Sequence, residues 1–299
     1  MTKSRTTNLD TGSTGTPKPS AHRSNRKETD VRTSPIDRND LTMRTDGPLT
    51  RPGPVRPIVQ YSIVKILSVW AAAALPMGVL AWWVAPRLGG VIDGPEPFFQ
   101  ALWLCLTVGL VWQFLLVIGL VWQEQRSLQW RVLREALWLR SPRSPRTGRN
   151  DSKIWLLLIP LLVLFYAGGM IPSPDHPANR DMGLFIGSGT GEAFFDGRWA
   201  WFGLVMVGLI FNTVLGEELL FRGLLLPRMN GALGKADWLV NGLLFAAYHL
   251  HVPWAIPAAL LDALILSYPS KRYGSAWIGI AVHSAQSLFI GGVVLALVL

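Results

Sequence analysis

Seven apolar runs dominate the sequence, and they restrict the chain to a fold built inside a membrane. The runs lie near 62–85, 100–122, 154–171, 199–226, 238–250, 253–268 and 276–299. A helix needs about 20 apolar residues to cross the hydrocarbon of a bilayer, and only helices or closed barrels satisfy every backbone polar group there. The sequence therefore predicts an all-α transmembrane bundle of about seven spans. Because 238–250 and 253–268 are short, counts from six to eight stay open.

The charged residues are few, and they are concentrated in two segments. Only 16% of the residues are charged, yet the net charge is +9. Residues 1–57 hold 11 Lys and Arg against 6 Asp and Glu, and residues 124–153 hold 8 against 3. Basic loops mark the cytoplasmic face of a cell-membrane protein, so both segments and the N-terminus are predicted inside. The acidic loop 172–198 and the C-terminus are predicted outside. The expected partner of the basic residues is the lipid bilayer and not nucleic acid.

Composition divides the chain into three parts. Residues 1–57 are rich in Thr, Ser, Pro and Arg and cannot bury enough apolar surface to fold alone, so we predict a disordered basic tail. Residues 58–150 are predicted to form two spans and an Arg-rich cytoplasmic loop, in which 125–140 fits either an interfacial helix or a plain connection. Residues 151–299 are predicted to form a membrane domain that carries the site described next.

The run 199–226 contains three ionisable side chains, Glu217, Glu218 and Arg222. Each costs at least about 2.5–3.5 kcal/mol near a membrane centre, so intramembrane charges indicate a function by default. Glu218 and Arg222 stand at i and i+4 with the acid first, which is the favourable order for an ion pair on a helix. The pair could serve only to tie two helices together. Glu217 is left without a local partner.

Two later runs each contribute one histidine, His249 and His283. A Glu217 carboxylate in a low-dielectric site could act as general base toward a water molecule. His249 could hold that water or relay its proton, and His283 could donate a hydrogen bond to an oxyanion. Ser287, one turn after His283, would supply a second donor. Each histidine alone could be simple packing between helices, but polar groups on three spans together favour a site in the inner half or middle of the membrane.

Three short motifs resemble those of the CPBP family of intramembrane proteases, also called the CAAX-protease, bacteriocin-processing or Abi family. They are Glu-Glu-x-x-x-Arg at 217–222, Phe-x-x-x-His at 245–249 and a third that begins at His283. Their order and spacing fit, and the resemblance covers roughly 150–299. It implies an intramembrane endopeptidase that opens toward the cytoplasm or inner leaflet and cleaves a membrane-associated protein or peptide.

The resemblance also implies a role for each motif residue. Glu217 would be the water-activating base, His249 its partner on the water, and His283 an oxyanion donor. Glu218 and Arg222 would support the first motif. The third motif departs from the family pattern, because Ser287 stands where Asn or Asp is usual.

Alternatives to this mechanism and function stay open. The resemblance implies no cofactor, but one Glu and two His also make a zinc ligand set, so a zinc metalloprotease is the second mechanism. No His-Glu-x-x-His motif occurs in the sequence. The alternative function is a non-catalytic immunity or scaffold protein that retains the fold. A transporter is disfavoured, because the sequence shows no internal repeat.

Overall fold

The computed structural model describes residues 55–299, and this part of the chain is helical. The only β interaction in that range is an isolated bridge between Arg143 and Asn150. The predicted all-α class is therefore confirmed. The prediction of a disordered tail falls almost wholly on residues 1–54, which lie outside the described residues.

Twelve helices make up the described part of the chain. They are α1 Ile63–Gly89, α2 Pro97–Gln125, α3 Trp130–Ala136, α4 Ser152–Gly168, α5 Met182–Ile186, α6 Gly189–Phe195, α7 Trp199–Ile210, α8 Leu226–Leu233, α9 Asp237–Tyr248, α10 Ile256–Ala259, α11 Tyr268–Tyr273 and α12 Ala276–Val298. Single 3-10 turns occupy Ala178–Arg180, Gly234–Ala236 and Pro253–Ala255. Wider π-helical segments occupy Leu80–Val84 within α1, then Phe211–Gly216, Leu219–Leu225 and Ala263–Ser267.

Four helical stretches are long and apolar enough to cross a membrane. These are Ile63–Gly89, Pro97–Gln125, Trp199–Tyr248 and Ala276–Val298. Most of the α1 and α2 surface is apolar and uncovered, as contact with lipid requires. The chain is thus a multi-pass membrane protein.

The stretch Trp199–Tyr248 is too long for one crossing. Its 50 residues would extend about 75 Å as a straight helix, far beyond the hydrocarbon thickness of about 30 Å. Gly234 breaks it, because its φ of 54° lies in the left-handed region that glycine adopts without steric cost. The break ends α8 and allows α9 to start in a new direction.

Contacts at the two ends of the bundle show how the segments are arranged. At one end, the backbone N–H of Tyr61 donates to the carbonyl of Arg228, and that of Arg143 donates to the carbonyl of Tyr273. At the other end, the N–H of Gly197 donates to the carbonyl of Val298. The N-terminal segment and the loop after α2 therefore lie opposite the C-terminus, as the charge pattern predicts.

Seven passes agree with these contacts, but the number stays a prediction. Of the four candidate crossings, Trp199–Tyr248 would contain two passes. The segment Ser152–Gly168 is shorter than a usual span, and 256–273 is broken into short pieces. Which end of the bundle faces the cytoplasm is also still a prediction from the basic residues.

A buried ion pair stabilises the bundle at the end where the N-terminal segment lies. Arg228 is fully buried, and its Nη2 donates to Glu124 Oε2 at 2.7 Å while its Nε reaches both carboxylate oxygens. The Tyr61 hydroxyl donates to the same carboxylate, and burial and this carboxylate raise the Tyr61 pKa. Arg228 Nη1 also donates to the carbonyl of Ala136 in α3. The segment before α1, the end of α2, α3 and α8 are thereby held together.

Candidate active site

Two π-helical segments flank the paired acids of the first motif. Phe211–Gly216 ends immediately before Glu217, and Leu219–Leu225 begins immediately after Glu218. In a regular α-helix, the side chains of consecutive residues point about 100° apart. A π segment has a wider helical turn, and such segments are frequent at functional sites. Both acids point into the protein, where Glu217 is 3% and Glu218 0% exposed.

Glu218 joins the first and third motifs. Arg222 Nη1 donates to Glu218 Oε1 at 2.9 Å, and the ring Nδ1 of His283 lies 3.1 Å from the same oxygen. Arg222 is fully buried, with its guanidinium carbon 4.0 Å from the centre of the Phe245 ring. The predicted ion pair therefore forms, and it also orients the histidine of α12.

A glycine on α12 makes room for this contact. A Cβ atom at Gly279 would overlap Glu218 Oε2 and would crowd the Arg222 side chain. Position 279 lies one turn before His283, so the approach of the carboxylate to the imidazole depends on the missing side chain.

Glu217, His249 and His283 line one cavity of ≈ 540 Å³. The structure thus brings together the three motif residues that the sequence places on separate helices. Gln286 lines the same cavity. The remaining wall is largely apolar and comes from α1, α2, α5, α7 and α12.

The second motif fixes the orientation of the His249 ring. His249 caps the end of α9, and its Nδ1 lies 2.9 Å from the carbonyl oxygen of Phe245. A carbonyl only accepts, so Nδ1 carries the proton in this contact and Nε2 of a neutral ring is left as an acceptor. The Phe245 ring packs edge-on against the His249 ring at 4.9 Å. Phe245 thus supplies both the hydrogen-bond acceptor and the packing surface for the histidine.

Tyr248 and Gln113 support Glu217, and the sequence analysis missed both. Gln113 is fully buried in α2, and its Nε2 donates to the Tyr248 hydroxyl at 2.6 Å. The Tyr248 hydroxyl proton is then free for the neighbouring Glu217 carboxylate. An isolated Gln within an apolar span was the signal available, since polar residues there usually bind across helices.

Ser287 points away from the cavity. Its hydroxyl oxygen lies 3.0 Å from Thr213 Oγ1, in the π segment before Glu217. Ser287 is not part of the wall shared by Glu217 and His283, whereas its neighbour Gln286 is. Gln286, and not Ser287, therefore shares the cavity wall with Glu217 and His283.

His251 and Asp262 are two further polar residues at the site that the sequence analysis did not select. His251 lines the first cavity, stacks on His249 at 5.6 Å, and has a buried Nδ1 with no partner in the described residues. Asp262 lines a second cavity of ≈ 360 Å³. The two cavities share His249, His283 and Gln286 in their walls.

The segment between α4 and α7 contributes to the wall of the first cavity. Residues of α5, including Met182 and Ile186, lie in that wall. This segment is the loop 172–198 that the charge pattern places outside. The orientation of the loop and the side to which the cavity opens both stay predictions from the sequence.

His176 anchors the same loop. Its Nδ1 lies 2.8 Å from the Pro174 carbonyl oxygen, its Nε2 lies 2.9 Å from Asp181 Oδ2, and its ring stacks on Trp254 at 4.6 Å. The Pro174 carbonyl first, and then the Asp181 carboxylate, raise the His176 pKa above its usual value. The protonated ring thus stabilises the contact between the loop and the segment before α10.

Within residues 55–299, no group of three or more His, Cys, Asp or Glu side chains is arranged to hold a metal ion. Glu218 is already occupied by Arg222 and His283.

Comparison with known families agrees with this geometry. The family model for type II CAAX prenyl endopeptidase Rce1-like proteins matches residues 199–289. The resemblance to the CAAX proteases is confirmed over this segment. The Rce1-like segment contains all three motifs and runs from α7 into α12, although it covers less than half of the chain. Comparisons with curated proteins and with solved structures found no significant match.

Proposed function

We propose that the chain is an intramembrane endopeptidase that hydrolyses a peptide bond of a membrane-associated protein or peptide. The observation that carries this proposal is the meeting of Glu217, His249 and His283 on one cavity, inside the segment similar to CAAX proteases. The reaction class follows from that similarity. The roles of the individual residues follow from their contacts.

Glu217 is the general base in this proposal. It lines the cavity, and no cation pairs with it within the described residues, so its carboxylate is available to take a proton from water. Tyr248, which accepts a hydrogen bond from Gln113, neighbours this carboxylate and is a positioning residue in the proposal. The free Nε2 of His249 accepts the second hydrogen bond of the water, which aims its oxygen at the scissile carbonyl.

His283 is the oxyanion donor. Its Nδ1 lies 3.1 Å from Glu218 Oε1, which also accepts from Arg222, and a ring with a proton on each nitrogen could donate both to this carboxylate and to the substrate. The Nε2 proton then points to the charge that develops on the carbonyl oxygen, while the carboxylate stabilises the cation from behind, as in a catalytic triad. The Gln286 amide is placed to be the second donor.

The two remaining steps need only these groups. After attack, Glu217 holds the proton and passes it to the leaving amine, so the bond breaks as a neutral amine departs. Donors fixed by helices need no rearrangement when the charge appears, which is the source of their catalytic effect. Glu218 and Arg222 touch neither water nor peptide in this scheme and act as positioning residues.

Proteolysis in liposomes by the purified full-length chain tests this function. Glu217→Gln keeps the shape of the side chain but removes its basicity, so cleavage should fall by several orders of magnitude while the folded protein is recovered at normal yield. Undiminished cleavage by this variant would reject the assigned base. Loss of wild-type cleavage on strong chelation, restored by added zinc, would replace the glutamate mechanism with a metal mechanism. No cleavage of any membrane peptide would favour the scaffold function.

A further inference from the structure

Asp262 is an acid inside the bundle that the proposed mechanism does not use. It lies at the start of the π segment Ala263–Ser267 and lines the second cavity. Among residues 55–299, no side chain or backbone group forms a hydrogen bond or ion pair with its carboxylate. A charge within a membrane protein that has no protein partner suggests a partner that is not part of the chain.

The cations of the site contact another acid. Arg222 Nη1 and His283 Nδ1 both contact Glu218, and neither side chain forms a hydrogen bond or ion pair with Asp262. Glu217 is a further acid on the adjoining cavity. Asp262 is the acid in the wall of the second cavity, so its carboxylate is available to a cation from outside the chain.

The walls of the second cavity suit a long basic side chain. Phe165, Tyr166, Phe245 and Phe289 contribute aromatic rings, and Asp262 contributes the acid. Aromatic faces attract a cation at short range, and they also cover the aliphatic stem of Lys or Arg. Asp262 is partly exposed to the cavity, and a purely apolar substrate group would cover its carboxylate without giving it a partner, which is costly.

The position of this cavity relates it to the reaction. It shares His249, His283 and Gln286 with the first cavity. A peptide whose scissile carbonyl lies against His283 would therefore send side chains from the two sides of the bond into different cavities. The first cavity has a mainly apolar wall, and the second carries Asp262.

We propose that Asp262 makes the second cavity a specificity pocket for a basic side chain of the substrate, close to the scissile bond. This inference rests on the proposed function for its place in catalysis, but the binding of a cation by Asp262 can be measured separately.

The cleavage test compares peptides that differ at one position. Lipid-anchored peptides carry Lys, norleucine or Glu at each of two positions on either side of the scissile bond. At one of these peptide positions, the wild type should cleave the Lys peptide with a kcat/KM about 10- to 100-fold higher than that of the norleucine peptide, as expected for a hydrogen bond to a charged group. Asp262→Asn should lose that preference while it still cleaves the norleucine peptide. Asp93→Asn, which alters an exposed acid away from both cavities, should keep it.

The binding test needs no cleavage, because it measures how a cation changes the unfolding temperature. In the inactive Glu217→Gln protein, n-pentylammonium should raise the unfolding temperature, whereas n-pentanol at the same concentration should not. The ammonium effect should be present in Glu217→Gln and lost in Glu217→Gln/Asp262→Asn. If this result is obtained but the wild type cleaves no peptide, the proposed function fails and the cation pocket stands. Equal effects of the two additives, or a Lys preference retained by Asp262→Asn, would overturn the pocket.

Discussion

Arg222→Met is the change that best tests how the buried charges are organised. Arg222 and Glu218 are both completely buried, and methionine fills similar volume without a charge. Removing one partner of a buried pair costs about 3–5 kcal/mol, because the other charge is left uncompensated. His283 still contacts Glu218, and a hydrogen bond to a charged group is worth about 1.5–3 kcal/mol. We therefore expect Arg222→Met to lower the free energy of unfolding by about 3 kcal/mol, near the lower end of that range.

The free energy of unfolding can be measured by titrating a denaturing detergent into mixed micelles and following tryptophan fluorescence, since the chain has 14 Trp. Glu218→Gln should also destabilise. The double variant Glu218→Gln/Arg222→Met should lose less unfolding free energy than the two single variants lose together, because neither charge is then left without a partner. The activity of each single variant should fall as well, since His283 loses its orientation.

Arg228→Met is the matched control. Arg228 is as buried as Arg222, but it pairs with Glu124 and lines neither cavity. Its loss should reduce stability without changing cleavage per folded molecule. The assignment would be refuted if the unfolding free energy of Arg222→Met lay within about 1 kcal/mol of the wild-type value. It would also be refuted if the losses caused by Glu218→Gln and Arg222→Met simply added up in the double variant.

Three further outcomes are expected. Gln286→Ala should lower the cleavage rate by about 10²–10³, as for one lost oxyanion donor, whereas Ser287→Ala should change it much less; the reverse order in steady-state kinetics would restore the serine as donor. The His176 pKa is raised in the folded state, so protonation stabilises the loop 172–198 below the ordinary histidine pKa, and this stabilisation is lost as pH rises through the folded-state value. Hydrogen exchange of that loop should thus accelerate, beyond the intrinsic effect of pH, as the pH rises above the ordinary histidine pKa, and His176→Ala should abolish the difference. A reporter in the same loop should read external and one in 124–153 cytoplasmic; the opposite result would show that the predicted orientation is wrong.

The motif residues were predictable because each breaks an apolar pattern. Glu217, His249 and His283 each stand in an apolar run, and spacing pairs the other two charges of the first run, Glu218 and Arg222. Their convergence on one cavity was also expected. The all-α class follows directly from the apolar runs, since a bilayer offers the backbone few alternatives.

The remaining parts of the site depend on packing that no periodicity reveals. Ser287 shares a helix face with His283 in an ideal helix, but Thr213 on another helix binds its hydroxyl. Asp262 stands in a run that looks like an ordinary short span, and its importance emerges only when π segments and two cavities bring it near Arg222. The π segments themselves leave no trace in the spacing of apolar residues.

Those π segments make the active site sensitive to chain length as well as to side-chain chemistry. A π segment holds an extra residue as a bulge, so the helix on either side can keep its direction when one residue is removed. The same deletion in Trp199–Ile210 would turn every later side chain by about 100° and carry Glu217 out of the cavity. Single-residue deletions in this protein should therefore be tolerated by the fold at Phe211–Gly216 and Leu219–Leu225, the two segments where a deletion would most directly change the position of the paired acids.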